Sequence, residues 1–250
     1  MKSIFIFPFI LVLSSLFSCG HQGYPSSLLI ADSLCEANPD SAIAFLSGLS
    51  SHQSEFDDDS RWYYRLLCLK AKCKAYIKYN EGDKVEAMAV LDHYENSGDR
   101  NLLSRAYYYA GSVAYDLGDA PAGVEYFQRA MDALADTTDL QFRSALNFRI
   151  GFLLLDQCVY EPSLEYFKTS YMLEQQRKDT LMMIYCLEKQ AFAFGDSHFG
   201  DSVLYYFDKA KSLAETLKDS VLVKRISASM ASYYLEINNY AKADNCLGLI

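Results

Sequence analysis

Residues 124–130 read VEYFQRA, residues 164–170 read LEYFKTS and residues 204–210 read LYYFDKA. Each stretch carries a Tyr-Phe pair, and the pair recurs at a fixed interval of 40 residues. A constant interval of this length is typical of a repeat architecture, in which each unit buries its apolar face against the next unit. The three stretches therefore predict a solenoid built from repeated helical units.

Other positions keep the same interval of 40 residues. An Asp precedes an apolar-periodic stretch in each unit, at Asp99, Asp139, Asp179 and Asp219. Such an Asp can accept hydrogen bonds from the free N–H groups of a helix's first turn. A small residue follows in each unit, at Gly111, Gly151, Ala191 and Ala231, and marks a close approach of two helices. Each unit is thus predicted to be a helix, a turn, and a second helix that carries the Tyr-Phe pair.

This arrangement resembles the tetratricopeptide repeat (TPR). The family's small eighth residue falls on Gly111, Gly151, Ala191 and Ala231, its aromatic twenty-fourth on Phe127, Phe167 and Phe207, and its small twenty-seventh on Ala130, Ser170 and Ala210. The period of 40 departs from the family's usual period of about 34, and the family's fourth-position Trp is absent. The resemblance implies an all-α fold, a right-handed superhelical solenoid of antiparallel helix pairs.

The repeat predicts how the chain is organised. Clear units are expected at about 99–138, 139–178 and 179–218, with an incomplete unit at 219–250. Upstream the pattern weakens to two helix pairs, at 28–50 and 61–96, so that the whole helical domain spans 28–250. The first pair is expected to break at Asn38-Pro39, since Pro suits the first turn of a helix. The second pair is expected to be joined at Glu81-Gly82.

The N-terminal residues MKSIFIFPFILVLSSLFSC read as a targeting segment. The apolar run from Ile4 to Phe17 follows a basic start and is shorter than the roughly 20 residues of a spanning helix. A small residue before Cys19 resembles the lipobox of bacterial lipoproteins; the alternative is an ordinary signal peptide with an incidental Cys. The resemblance implies a signal peptide at 1–18 and a lipidated Cys19, followed by a tether up to residue 27. The expected location is the Gram-negative cell envelope, lipid-anchored to a membrane and facing the periplasm.

Composition and motifs narrow the function. The formal charge of −9 would repel a phosphate backbone, which argues against a direct nucleic-acid role. The four His residues are scattered without metal-ligand spacing, and no P-loop, GxGxxG or nucleophile arrangement occurs. We therefore expect a protein that is not an enzyme and that uses no metal and no cofactor.

The TPR resemblance implies a partner-binding groove lined by the first helix of each unit. The residues carried over to that groove are Tyr108, Tyr115, Asp116, Phe148, Arg149, Phe152, Asp156, Glu188, Phe192, Asp196 and Glu236. Three of them, Phe148, Phe152 and Phe192, would be peptide-binding anchors if exposed and packing residues if buried.

An acidic residue closes the first helix of every clear unit. We call Asp116, Asp156, Asp196 and Glu236 the acidic row. The helix dipole disfavours an anion at that end by a few tenths of a kcal/mol to about 1 kcal/mol. One interpretation is that the row grips a basic peptide. The other is a solvated turn, in which each acid bonds backbone donors or pairs with Arg149 or Lys189.

Three functions are compatible with these features. The first is a lipid-anchored TPR scaffold that binds a protein or peptide at the envelope, and the lack of catalytic motifs favours it. The second is the sensor half of a truncated TPR transmembrane transcriptional regulator, suggested by a sequence that stops at Ile250 within a predicted helix. The third is a nutrient- or glycan-binding lipoprotein; a lone Trp62 and the lack of a long insertion count against it.

Overall fold

The computed structural model describes residues 23–194 and 200–248, which form twelve α-helices and one 3-10 helix and contain no strand. In chain order they are α1 (Ser26–Ala37), α2 (Pro39–Leu49), the 3-10 helix Ser50–Glu55, α3 (Asp58–Lys74), α4 (Glu81–Ser97), α5 (Arg100–Asp116), α6 (Ala120–Ala133), α7 (Leu140–Asp156), α8 (Tyr160–Arg177), α9 (Thr180–Phe194), α10 (Gly200–Thr216), α11 (Ser220–Glu236) and α12 (Tyr240–Leu247). Consecutive helices pack in pairs, and we call the odd-numbered members A helices and the even-numbered ones B helices. The predicted all-α, TPR-like solenoid is confirmed.

The Asp residues at the 40-residue interval cap the A helices, as predicted. A side-chain oxygen accepts a hydrogen bond from the backbone N–H three residues later at Asp99, Asp139 and Asp219, at 2.9 to 3.0 Å. Asp179 accepts from the Met182 N–H at 3.0 Å in the same way. Each carboxylate therefore satisfies one of the free donors that would otherwise be lost at a helix start.

The Phe of each Tyr-Phe pair fills the space left by the small residue of the preceding A helix. Phe127, Phe167 and Phe207 are buried to within 1% of full burial. A Cβ atom placed on Gly111 would lie 3.0 Å from the Phe127 ring, and one on Gly151 would lie 3.1 Å from the Phe167 ring. We call these two contacts the glycine notches. Real Cβ atoms rarely pack so closely, so glycine allows the approach that the spacing predicted.

Two buried serines also obey the interval, although the sequence analysis did not single them out. The Ser104 hydroxyl donates to the Ala130 carbonyl at 2.6 Å. The Ser144 and Ser170 hydroxyls are 2.8 Å apart and share one hydrogen bond. These bonds tie an A helix to its B helix without leaving a buried hydroxyl unpaired, which would be costly.

The first pair follows its prediction at Asn38-Pro39. α2 begins at Pro39, and the Asn38 side chain accepts a hydrogen bond from the Ser41 N–H at 3.1 Å.

The predicted turn at Glu81-Gly82 is wrong. α3 ends at Lys74 and α4 begins at Glu81, so the connection is Ala75–Asn80, which we call the α3–α4 loop. The Asn80 side chain accepts from the N–H groups of Gly82 and Asp83, and Asp83 accepts from the Asn80 N–H. This reciprocal cap makes Glu81 and Gly82 the first turn of a helix rather than a connection.

Ion pairs join the N-terminal helices. Lys70 on α3 binds Asp32 at 2.7 Å and Glu36 at 2.8 Å, both on α1. Arg65 on α3 binds both carboxylate oxygens of Glu86 on α4, at 2.5 and 2.8 Å. Charged contacts therefore hold the part of the solenoid in which the sequence repeat is weak.

Candidate functional site: the A-helix groove

Two cavities open side by side on the face formed by the A helices. The first cavity, of about 550 Å³, lies between the α3–α4 loop, α5 and α7. The second cavity, of about 520 Å³, extends from the end of α3 across α5 and α7 to α9. Both are walled by Cys73, Tyr76 and Arg149, so they adjoin along one shared boundary. We call the two cavities together the groove.

The predicted partner-binding residues are distributed unevenly. Tyr115, Asp116, Arg149 and Asp156 wall the first cavity, whereas Tyr108, Phe148 and again Arg149 wall the second. The walls of the two cavities do not include Phe152, Glu188, Phe192 or Glu236. Asp196 and the predicted lipidation site Cys19 lie outside the described residues.

The three aromatic candidates each contact the core with part of the ring. Phe148 is half-buried and packs edge-on against Phe167, with ring centroids 5.5 Å apart. Phe192 packs edge-on against Phe207 at 5.5 Å but keeps 39% of its surface exposed. Phe152 is half-buried, with Tyr115 against it at 5.9 Å. Packing thus holds each ring in place while a part of it stays accessible.

Glu188 is buried rather than displayed. It is 2% exposed, and its Oε2 atom binds Arg225 on α11 at 2.6 Å. Burial raises the pKa of Glu188, while the Arg225 charge opposes that rise. The adjacent Lys189 ammonium lies over the rings of Phe152 and Phe192, 4.9 and 5.4 Å from their centroids, and burial lowers its pKa. Glu188 therefore links α9 to α11 instead of facing a partner.

The acidic row stands where the sequence analysis placed it, since Asp116, Asp156 and Glu236 are the last residues of α5, α7 and α11. Asp116 is engaged, because its Oδ2 atom accepts a hydrogen bond from the Tyr79 backbone N–H at 3.0 Å. Asp156 and Glu236 are exposed, and neither forms an ion pair with a residue in 23–194 or 200–248. The members of the row therefore differ, and Asp116 serves to hold the α3–α4 loop.

Arg149 forms the boundary between the two cavities. It projects from α7, and its Nε atom donates a hydrogen bond to the Tyr108 hydroxyl at 3.3 Å. Burial raises the pKa of Tyr108, which keeps that hydroxyl neutral and able to accept the bond. The bond orients the planar guanidinium against the shared wall.

Tyr76 also forms the shared boundary, and the sequence analysis did not identify it. Its φ angle is +55° and its side chain is 93% exposed. A positive φ is strained for a bulky residue. The only signal in the sequence is negative, namely that the α3–α4 loop breaks the 40-residue pattern.

Two further classes of site find no support in the described part of the chain. No helix there is long and apolar enough to cross a membrane. No cluster of three or more His, Cys, Asp or Glu side chains there could hold a metal ion.

Solved structures that share this fold are TPR-like proteins. The apo form of RapI superposes with a TM-score of 0.75 at 15% identity, over 90% of this chain and 63% of RapI. NprR in complex with its cognate peptide NprX superposes with a TM-score of 0.64 at 14% identity, over 90% of this chain and 66% of NprR. Rap protein complexed with competence and sporulation factor gives 0.67 at 13% identity, over 88% of this chain and 62% of the other.

The likeness is one of fold. The chain spans less than two thirds of the length of RapI. The sequence matches no protein-family model and no curated protein.

Proposed function

We propose that this chain is a lipid-anchored, TPR-like scaffold that binds a peptide segment of a partner protein in the A-helix groove. The observation that carries the proposal is the pair of adjoining cavities on the A-helix face. Volumes of about 550 and about 520 Å³ fall within the range of roughly 300–1,000 Å³ that ligand pockets occupy. Two proteins that share the fold, a Rap protein and NprR, have been solved with a bound factor or peptide.

The groove suits an extended segment rather than a compact small molecule. The cavities follow one another across α3, α5, α7 and α9, so a single chain could fill both. Half-buried rings such as Phe148 and Tyr115 supply contact area that packing already holds in place. Binding without catalysis is part of the proposal, because Asp116 is bonded to Tyr79 and Tyr108 to Arg149.

Site-specific photo-crosslinking tests where the partner binds. A benzophenone amino acid in place of Phe148 lies in the second cavity. The same amino acid in place of Tyr205 on α10, which is 59% exposed, is a matched control away from the groove. We expect crosslinked peptides from one partner at Phe148 and not at Tyr205. Equal crosslinking at the two positions would contradict binding in the groove.

The finer expectation of a basic partner rests on the acidic row. Asp156 and Glu236 are exposed, so their carboxylates could meet cations of a bound segment. If they do, Asp156→Asn combined with Asp196→Asn should weaken partner binding and flatten its dependence on salt. Unchanged affinity and salt dependence would leave the row as solvated helix ends.

Anchoring at the envelope is tested separately. Cells fed a radioactive fatty acid should label the protein, and Cys19→Ser should abolish the label because the acylated thiol is lost. Cys158→Ser is the control, since Cys158 is an exposed thiol far along the chain. Label that survives Cys19→Ser would overturn the lipid anchor and leave the binding groove unaffected.

A further inference from the structure

The guanidinium of Arg149 lacks a counter-charge. Its Nε atom bonds the Tyr108 hydroxyl, and within residues 23–194 and 200–248 no carboxylate forms an ion pair with it. The side chain is partly buried in the wall between the two cavities. Withdrawing a cation from water without pairing it costs free energy, so protein interiors usually provide a partner.

The other cations of the second cavity are already paired. Lys74 binds Glu36 at 2.6 Å. Arg177 binds Glu174 and lies 3.7 Å from Asp179. Arg149 is thus the cation that the described walls of this cavity leave uncompensated, and it faces the space that a ligand would fill.

The shared wall brings an aromatic side chain to the same place. Tyr76 stands in the α3–α4 loop with its ring in solvent, and it walls both cavities together with Arg149. Two contacts hold the loop: the Tyr79 hydroxyl donates to the Leu69 carbonyl at 2.6 Å, and Asp116 accepts from the Tyr79 N–H. The ring is therefore presented from an anchored loop at the boundary where a peptide filling both cavities must pass.

We propose that Arg149 anchors a carboxylate of the peptide that occupies the groove, with Tyr76 packing over the peptide at that point. The proposal rests on the proposed function and names the ligand class: a peptide that presents a carboxylate, either at its C-terminus or on an Asp or Glu side chain. The planar guanidinium matches a carboxylate with two parallel hydrogen bonds. Its orienting bond uses Nε, which leaves the terminal nitrogens for the ligand.

Two peptide pools test the proposal on the full chain. Both contain N-acetylated octapeptides of random sequence, one with free C-terminal carboxylates and one with C-terminal amides. The peptides that the immobilised protein retains are identified by mass spectrometry. We expect carboxylate-bearing peptides to be enriched at least about 10-fold, as a charge-assisted hydrogen bond would give. Enrichment only in the free-acid pool identifies the C-terminal carboxylate, and Asp or Glu enrichment in both pools identifies the side chain.

Variants locate the anchor. Arg149→Gln should remove the enrichment, and Arg149→Lys should retain part of it because the charge remains without the two-pronged geometry. Arg143→Gln is the matched control: it removes the same charge from the same helix, but Arg143 donates to the Thr137 carbonyl and walls neither cavity. Far-UV circular dichroism verifies folding, and the two pools on the unaltered chain test the carboxylate preference without any variant.

The outcomes separate the two proposals. Peptides retained without a carboxylate preference, equally by the unaltered chain and Arg149→Gln, would overturn the anchor and leave peptide binding standing. No retained peptide from either pool on the unaltered chain would overturn both.

Discussion

Two neighbouring helix pairs of this solenoid are held together by different forces. In α7 and α8, the Phe167 ring fills a notch left by Gly151, and the connection Gln157–Val159 is short. In α3 and α4, the corresponding positions hold Ala71 and Ala87, both buried, and Arg65 binds Glu86 across the pair. Directed charges replace the aromatic contact in the pair whose connection, the α3–α4 loop, is longer. The comparison suggests that regular packing builds the frame, while the irregular pair supplies a loop that reaches the groove.

Removing the aromatic contact should have the largest effect. Phe167→Ala deletes a fully buried ring, and we expect a loss of about 3–5 kcal/mol in the free energy of unfolding. Chemical denaturation followed by circular dichroism measures it. Tyr205→Ala, at an exposed aromatic of α10, should change stability by less than about 0.5 kcal/mol. A loss below about 1 kcal/mol for Phe167→Ala would show that the notch is not the main contact of the pair.

Filling the notch should cost less than emptying it. The Cβ atom of Gly151→Ala would meet the Phe167 ring at 3.1 Å, and we expect a net loss of about 1–2 kcal/mol despite the better helix propensity of Ala. Gly48→Ala in α2 is the control, because no atom lies within 4 Å of its added Cβ. That substitution should stabilise by up to about 1 kcal/mol. Gains for both variants would refute close packing at Gly151.

The two connections can be compared directly through their strained residues. Tyr76 in the α3–α4 loop has φ +55°, and Cys158 in the short α7–α8 connection has φ +59°. Tyr76→Gly and Cys158→Gly should each stabilise the fold by roughly 0.5–1 kcal/mol, since Gly adopts positive φ without strain. Only Tyr76→Gly should lower peptide retention in the pool assay. Equal retention by both variants would mean that Tyr76 does not contact the bound peptide.

Breaking the charged contact should have the smallest effect. Glu86→Gln removes the partner of Arg65, whose side chain is 28% exposed beside a 36% exposed Glu86. We expect a loss of about 0.5 kcal/mol that shrinks at 1 M salt, where charges are screened beyond about 3 Å. The loss caused by Phe167→Ala should be insensitive to salt by comparison. A Glu86→Gln effect that salt leaves unchanged would point to packing rather than charge.

The regular part of the fold could be predicted because its determinants lie at fixed sequence positions. Asp139 caps a helix through the N–H three residues on, and Gly151 must be small because Phe167 lies against it. Both are visible as an interval. The α3–α4 loop could not be placed in this way, because α3 ends two residues earlier than the interval would put it and the side chain of Asn80 starts the next helix later.

The candidate site was predictable only in outline. The TPR resemblance places Arg149, Phe148 and Tyr115 on the A-helix face, and they do wall the groove. Which charges are compensated depends on distant partners: Glu188 is paired with Arg225 from the next A helix, whereas Arg149 has only the Tyr108 hydroxyl among the described residues. Spacing cannot reveal such pairing, because it depends on how successive helices cross.

The identical geometry of the two glycine notches makes the units interchangeable in principle. Gly111 receives Phe127 as Gly151 receives Phe167, at distances that differ by 0.1 Å. A gene segment duplicated in frame over one period would therefore insert a unit whose A helix already fits its own B helix. Groove length could in this way grow by copy number, while the unpaired guanidinium and the irregular loop, each present once, would keep the anchoring point unique along a longer binding surface.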